Sequence, residues 1–280
     1  MGVAIAVTVA AMFVITALAV ICFPAADDSG NDDVLGAPTV DITGHDATWI
    51  KSNVESACGP GVTVLVTGSA TVTATVAIDM KGADVIWEAD ITAPYGIEVT
   101  GGGTFTKTVG ASWTVDWFGI YDSGTPPKGG RAILNGNLTF EGNDNGTGAN
   151  GANSTLIING NVTSGWEIGA RFGGMVIMKG DLTVTGGCVY VSTGGTIFIN
   201  GKLTVPDTDD YLTFDTAHFS IDDRENESSV AGYYDYTDNV SRVFIKIPEK
   251  GNNAALIVAV GMAAVIIIGV LFYFYLRKKQ

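Results

Sequence analysis

Asp116 and Asp122 lie in a short stretch that also holds Trp113, Trp117, Lys128 and Arg131. Tryptophan faces stack on sugar rings, and carboxylates and cations hydrogen-bond hydroxyl groups, so this mixture suits a carbohydrate. Cleaving a glycoside demands more: two carboxyl groups must flank the scissile bond at a set separation, and the spacing of these aspartates verifies no such pair. A tryptophan pair also serves as core or cap. Trp113, Asp116, Trp117 and Asp122 are therefore candidate ligand-binding residues, and no residue is assigned as catalytic. His45 and His218 belong to no nucleophile motif, and Gly124–Gly130 lacks the Gly-Lys-Ser/Thr ending of a phosphate-cradling loop. No cofactor or metal is expected.

Other chemistry-bearing groups are scattered. Asn-x-Ser/Thr sequons occur at Asn137, Asn145, Asn153, Asn161, Asn226 and Asn239. Asn137 and Asn161 take their Thr from a repeat described below, which leaves Asn145, Asn153, Asn226 and Asn239 as glycosylation candidates. Asn145 and Asn153 flank a stretch, Gly142 to Gly151, too rich in Gly and Asn to read as a strand. Its Asn143, Asp144 and Asn145 hint at calcium, but Ala152 stands where a bidentate acid would be required. Asp207, Asp209, Asp210, Asp215, Asp222, Asp223, Glu225 and Glu227 form an acidic stretch that reads as a solvated face.

The elements that position these groups repeat. Asn135-Gly136-Asn137-Leu138-Thr139 returns as Asn159-Gly160-Asn161-Val162-Thr163, Lys179-Gly180-Asp181-Leu182-Thr183 and Asn200-Gly201-Lys202-Leu203-Thr204, with the glycines 24, 20 and 21 residues apart. A period near twenty residues in β-rich sequence predicts a solenoid of stacked β rungs. The residues two to four before each glycine, such as Leu156, Ile157 and Ile158, are apolar, as is the residue two after it, and all are expected to face the interior. The threonine three after each glycine falls on the opposite face and predicts an exposed threonine ladder. The glycine itself suits a corner needing positive φ. Val64 to Val72 and Ile97 to Phe105 read as earlier copies, with room for others such as Ile78 to Ile86 between them, giving six to eight rungs and a stack of roughly 30–40 Å at ~4.8 Å per rung.

At the start, Asp46 and Gly59-Pro60-Gly61 bracket a stretch with apolar residues at helical spacing, Trp49 or Ile50, Val54 and Ala57 or Cys58. A short helix there would cover the first rung. The order of capping helix, Gly-Pro-Gly, Val62 to Gly68 and a threonine-rich strand resembles the opening of right-handed parallel β-helices of the pectin-lyase-like superfamily, and in particular adhesin-like surface proteins of archaea. The resemblance covers about residues 46–206. It implies an all-β, right-handed parallel β-helix. Because many such proteins cleave acidic polysaccharides with Asp, Lys or Arg along a groove, it also implies an enzyme as the alternative reading.

Ala254 to Leu276 is 23 uncharged residues, about 35 Å as a helix and enough to span a bilayer. Arg277-Lys278-Lys279 follows and places the C-terminus in the cytoplasm. Met1 to Phe23 is also uncharged and reads as a secretory signal or an uncleaved second anchor. The segment between carries all 29 acidic residues and 12 of the 15 basic ones, a net charge of −17, which argues against nucleic acid as a partner. Cys58 and Cys188 are expected as two buried thiols.

The expected organisation is a signal or anchor (1–26), a linker (27–45), a β-helix (46–206), an acidic cap (207–250), a transmembrane helix (254–276) and a tail (277–280). The expected function is that of a single-pass, cell-membrane glycoprotein, adhesin-like or structural in the envelope, with glycans or envelope proteins as partners. The alternatives are a polysaccharide-degrading enzyme and an accessory subunit of a membrane complex.

Overall fold

A computed structural model of the protein describes residues 36–122, 128–142, 146–206, 211–215, 217–220, 223 and 230–247. The signal or anchor, the membrane segment, Asn145 and Asn226 lie outside these residues. Among those described, no helix is long and apolar enough to cross a membrane.

The chain forms a parallel β-solenoid of seven turns, each contributing one strand to each of three sheets. The first sheet stacks Thr63–Thr67, Asp84–Trp87, Thr104–Lys107, Arg131–Asn135, Thr155–Asn159, Met175–Met178 and Thr196–Ile199. The second stacks Ser69–Thr71, Asp90–Ala93, Trp113–Val115, Leu138–Phe140, Val162–Ser164, Leu182–Val184 and Leu203–Thr204. The third stacks Val76–Asp79, Ile97–Thr100, Phe118–Tyr121, Thr147–Asn150, Ile168–Arg171, Val189–Ser192 and Leu212–Phe214.

Strand alternation decides which residues fill the interior. Leu134, Ile158, Met178 and Ile199 are wholly buried, as are Ala132, Leu156, Val176 and Ile197 two places earlier, and Leu138, Val162, Leu182 and Leu203 line the second sheet. The apolar column between them, Ile133, Ile157, Ile177 and Phe198, alternates to the outer face instead, where Ile157 and Ile177 are nonetheless buried and Phe198 stacks on Phe244. A strand cannot turn three consecutive side chains inward, so the expectation that all three columns face the core fails at the middle one. The interior also holds Lys107, whose ammonium donates to the carbonyls of Thr108 and Asn135 at 3.0 and 3.1 Å, and whose burial pushes its pKa down.

The threonine ladder continues through all seven turns as Thr71, Thr92, Thr114, Thr139, Thr163, Thr183 and Thr204. Beside it runs a ladder of side-chain amides and carboxylates. Asn161, Asp181 and Lys202 donate their backbone N–H groups to Asn137 Oδ1, Asn161 Oδ1 and Asp181 Oδ1, at 2.9, 2.9 and 2.8 Å. The corner glycines answer to two causes. Gly136 has φ +94°, as expected, but Gly160, Gly180 and Gly201 are not left-handed. There a Cβ would run into the carbonyl of the glycine one turn earlier, so close backbone stacking excludes a side chain.

Two further expectations change. Ile97–Thr100 belongs to the third sheet, so Gly101–Gly103 is a corner between the third and first sheets, not a copy of the Gly136 corner. Apolar alternation looks alike in every sheet, and only register separates them. Thr147–Asn150, within the stretch expected as a loop, is a strand paired in parallel on both sides. Ladder partners on either edge outweigh the low strand propensity of Gly148 and Asn150.

Both ends are closed. Helix α1 (Ala47–Ala57) starts where Asp46 accepts the Trp49 N–H at 2.8 Å, and it buries Ala47, Ile50 and Val54. It also serves the free edge of Val76–Asp79: Glu55 Oε1 accepts the Asp79 N–H at 2.9 Å, and the Lys51 ammonium donates to the Ala77 carbonyl at 3.0 Å. At the far end Arg242–Lys246 adds to the first sheet in parallel, and Tyr233–Thr237 then pairs with it antiparallel. Tyr211, Phe214, Phe219 and Tyr236 plug the interior beneath, with ring centroids 5.0–6.3 Å apart.

Candidate functional site

The four residues singled out by chemistry do not share one surface. Trp113 turns inward and packs with Trp87, Phe105 and Phe118, its centroid 5.8–6.2 Å from theirs. Its indole N–H is buried without a hydrogen-bond partner, and the Lys107 ammonium lies 5.8 Å from its ring centroid. Trp117 is buried, its ring lying against Gly96 in place of any side chain there. Asp116 sits at the next corner, its carboxyl pKa raised by partial burial and by Glu141. Asp122 Oδ2 accepts from Asn153 Nδ2 at 3.1 Å, which joins a ligand candidate to a glycosylation candidate. Asn239 is exposed, but Ser241 of its sequon is fully buried, with its hydroxyl accepting the Gly194 N–H at 3.1 Å. Cys58 and Cys188 are half-buried thiols not joined in a disulfide, and burial pushes the Cys58 thiol up to about 11.

A depression instead opens on the outer face of the third sheet. One outward column there reads Glu98, Gly119, Gly148, Gly169, Tyr190 and the next reads Thr100, Tyr121, Asn150, Arg171, Ser192. Three successive glycines remove the side chains from the first column between Glu98 and Tyr190. The Tyr121 ring lies against Gly119 and the Glu167 carboxylate against Gly169, while Gly148 forms the floor between. Gly146, Thr147, Ala149 and Asn150 complete a shallow trough with room for about one water molecule, about 20 Å³.

Charge in the trough is balanced across its lower wall. Arg171 Nη2 donates to both Glu167 oxygens, at 2.6 and 2.8 Å, and the guanidinium lies 4.9 Å from the Tyr190 ring centroid. Burial raises the Glu167 pKa, and Arg171 opposes that rise. Burial likewise raises the Tyr121 pKa, with Glu98 adding to the effect and Arg171 opposing it. Tyr190 donates its hydroxyl to Asp215 Oδ1 at 2.6 Å, and Asp215 Oδ2 accepts from the N–H and hydroxyl of Thr193. These bonds hold Asp215 below the usual carboxylate range.

The floor of the trough is the stretch that the sequence presented as a loop. One signal pointed to it: Phe118-Gly119-Ile120, Thr147-Gly148-Ala149 and Ile168-Gly169-Ala170 each set a glycine at an alternate position between residues facing the core, and glycine inside a strand marks close approach by backbone or ligand. Among the described residues no group of three or more His, Cys, Asp or Glu side chains is placed to hold a metal ion. Comparison with protein families, with curated proteins and with solved structures finds no match.

Proposed function

We propose that this protein is an adhesin-like or envelope structural protein that displays its solenoid outside the cell on a C-terminal membrane anchor and binds carbohydrate through its outer face. The trough on the third sheet carries this reading: an aromatic ring, an amide and an arginine–carboxylate pair converge over a side-chain-free floor on a rigid scaffold. The uncharged segments at 1–23 and 254–276 and the acidic stretch between them support surface display. We take the coil as right-handed and pectin-lyase-like, because parallel connections within a sheet are right-handed in about 98% of cases.

A polysaccharide-degrading enzyme is the second reading, favoured by the raised pKa of Glu167 beside an open trough. An accessory subunit of a membrane complex is the third. The test uses intact cells and a membrane-impermeant amine reagent. Exposed Lys179 should be labelled while a tag placed after Gln280 stays protected, and labelling of the tag alone would reverse the topology. Glycan retention without product release supports the adhesin, release of reducing ends the enzyme, and stoichiometric co-purification of a membrane protein the subunit.

A further inference from the structure

We infer that the outer face of the first sheet, from the fourth turn to the final hairpin, rests on the anionic surface of the bilayer in which the chain is anchored. The inference rests on the membrane-anchor reading above and adds the face by which the solenoid meets the membrane.

Charge singles out this face. Arg131 stands on it in the fourth turn, Lys179 in the sixth, and Arg242 and Lys246 in the hairpin, all exposed. At ~4.8 Å per rung these three levels follow one another along the axis in steps of ~10 Å. Arg242 pairs with Asp235 at 3.5 Å, whereas Arg131, Lys179 and Lys246 meet no carboxylate of a described residue. Asp235 is the one acidic side chain on this stretch among the described residues. The segment is strongly acidic and offers carboxylates in excess, so cations left unpaired on one face are available to an outside anion.

The course of the chain names that anion. Arg242–Lys246 is the last parallel strand of this same sheet, and the uncharged segment begins at Ala254, seven residues after Ile247. Seven residues span at most ~25 Å, so the basic end of the face is tethered beside the headgroups and meets them at high effective concentration. Each cation near an anionic lipid surface is worth about fivefold, and the three unpaired ones together about a hundredfold.

The carboxylates lie where they do not oppose this contact. Glu141 and Glu167 flank the corner between the second and third sheets, and at a Debye length of ~8 Å they are screened from a surface that touches the first sheet. Asp84 and Glu88 make the same face acidic in the second turn. Contact is thereby confined to the C-terminal half, and the early turns tip away from the bilayer. The third sheet, with its trough, stays open to solvent.

The test reconstitutes the full-length chain in vesicles of neutral phosphatidylcholine, with or without about one-third phosphatidylglycerol, and reads the rate of amine labelling at each lysine by peptide mass spectrometry. In about 0.1 M salt Lys179 and Lys246 should react about tenfold more slowly on the anionic vesicles than on the neutral ones, and in about 1 M salt the difference should vanish. Lys51, on α1 at the opposite end, should react alike on both. Arg131→Gln combined with Lys179→Gln should restore the rate at Lys246, with unchanged far-ultraviolet circular dichroism. Equal rates on the two kinds of vesicle, equal slowing at Lys51, or slowing that survives the higher salt overturns the inference. Protection of Lys179 by an acidic oligosaccharide on neutral vesicles, without protection by anionic lipid, also overturns it and gives the face to a polysaccharide. The anchor reading fails separately, if the chain does not float with neutral vesicles in about 1 M salt, and flotation with anionic vesicles in about 0.1 M salt then still reports the docking.

Discussion

Leu182 and Thr183 are neighbours in one short strand and face opposite ways, so truncating each in turn measures what the stack gains from its interior. Leu182 is wholly buried between its register partners Val162 and Leu203. Leu182→Ala removes about three carbons from water-excluded space, worth ~2.4 kcal/mol at ~0.8 kcal/mol each. The cavity left between two rungs raises the loss to about 3–4 kcal/mol, because the partners belong to separate, hydrogen-bonded strands and cannot collapse into the gap. Thr183 stands in the outward ladder, and Thr183→Ala should cost under about 0.5 kcal/mol. In a structure of this size the first loss lowers Tm by roughly 6–16 °C and the second by less than about 2 °C. Thermal unfolding of the full-length chain, followed by circular dichroism, gives both values. Comparable losses at the two positions would refute the alternation on which the interior is assigned.

Further outcomes follow from the ends and the thiol. Glu55→Ala strips the acceptor from the Asp79 N–H on an edge strand and should cost about 1–3 kcal/mol, with faster amide exchange at Asp79 as the local readout. Cys58, held near 11 by burial, should react with iodoacetamide at pH 8 much more slowly than glutathione does, as read by peptide mass spectrometry, and equal rates would contradict its burial. Asp215 has a lowered folded pKa, so its contribution is present above the ordinary carboxylate pKa and disappears as pH falls through the folded value. The melting temperature of wild type should therefore drop more steeply below about pH 4 than that of Asp215→Asn, and parallel curves would remove the Tyr190–Asp215 bond from the argument.

The four late rungs were legible because each repeats Gly-x-(Leu or Val)-Thr, and the helix because Asp46 and Gly59-Pro60 bracket it. The second and third turns were not, since Ala89 replaces the corner glycine in one and Thr108 to Ser112 lengthen the corner in the other. Neither change disturbs the core, which accepts any residues that restore register. Inside and outside were misjudged where Ile133, Ile157, Ile177 and Phe198 carry apolar side chains outward, because composition records hydrophobicity and not direction. The trough escaped notice for another reason. Each turn contributes only one or two of its outward polar side chains, Tyr121, Asn150, then Glu167 with Arg171, and no local motif links groups 17 to 29 residues apart. Only the stacking of outward columns brings them together.

The hydrogen bonds of the three sheets all run along the solenoid axis. If a ligand pulls at the trough while the chain is held at its C-terminal end, tension passes through the sixth and seventh turns and then enters the final hairpin, whose backbone hydrogen bonds to the stack are those of the first sheet. Between turns, strands in all three sheets share the load, so no bond can fail by itself. At the last step, among the described residues, four register pairs, Thr196–Arg242 to Ile199–Ile245, join the hairpin to the stack, helped by the Gly194–Ser241 hydrogen bond and the packing of Tyr236 on Tyr211 and Phe219. That junction carries fewer ladder pairs than any step between turns, where all three sheets are joined.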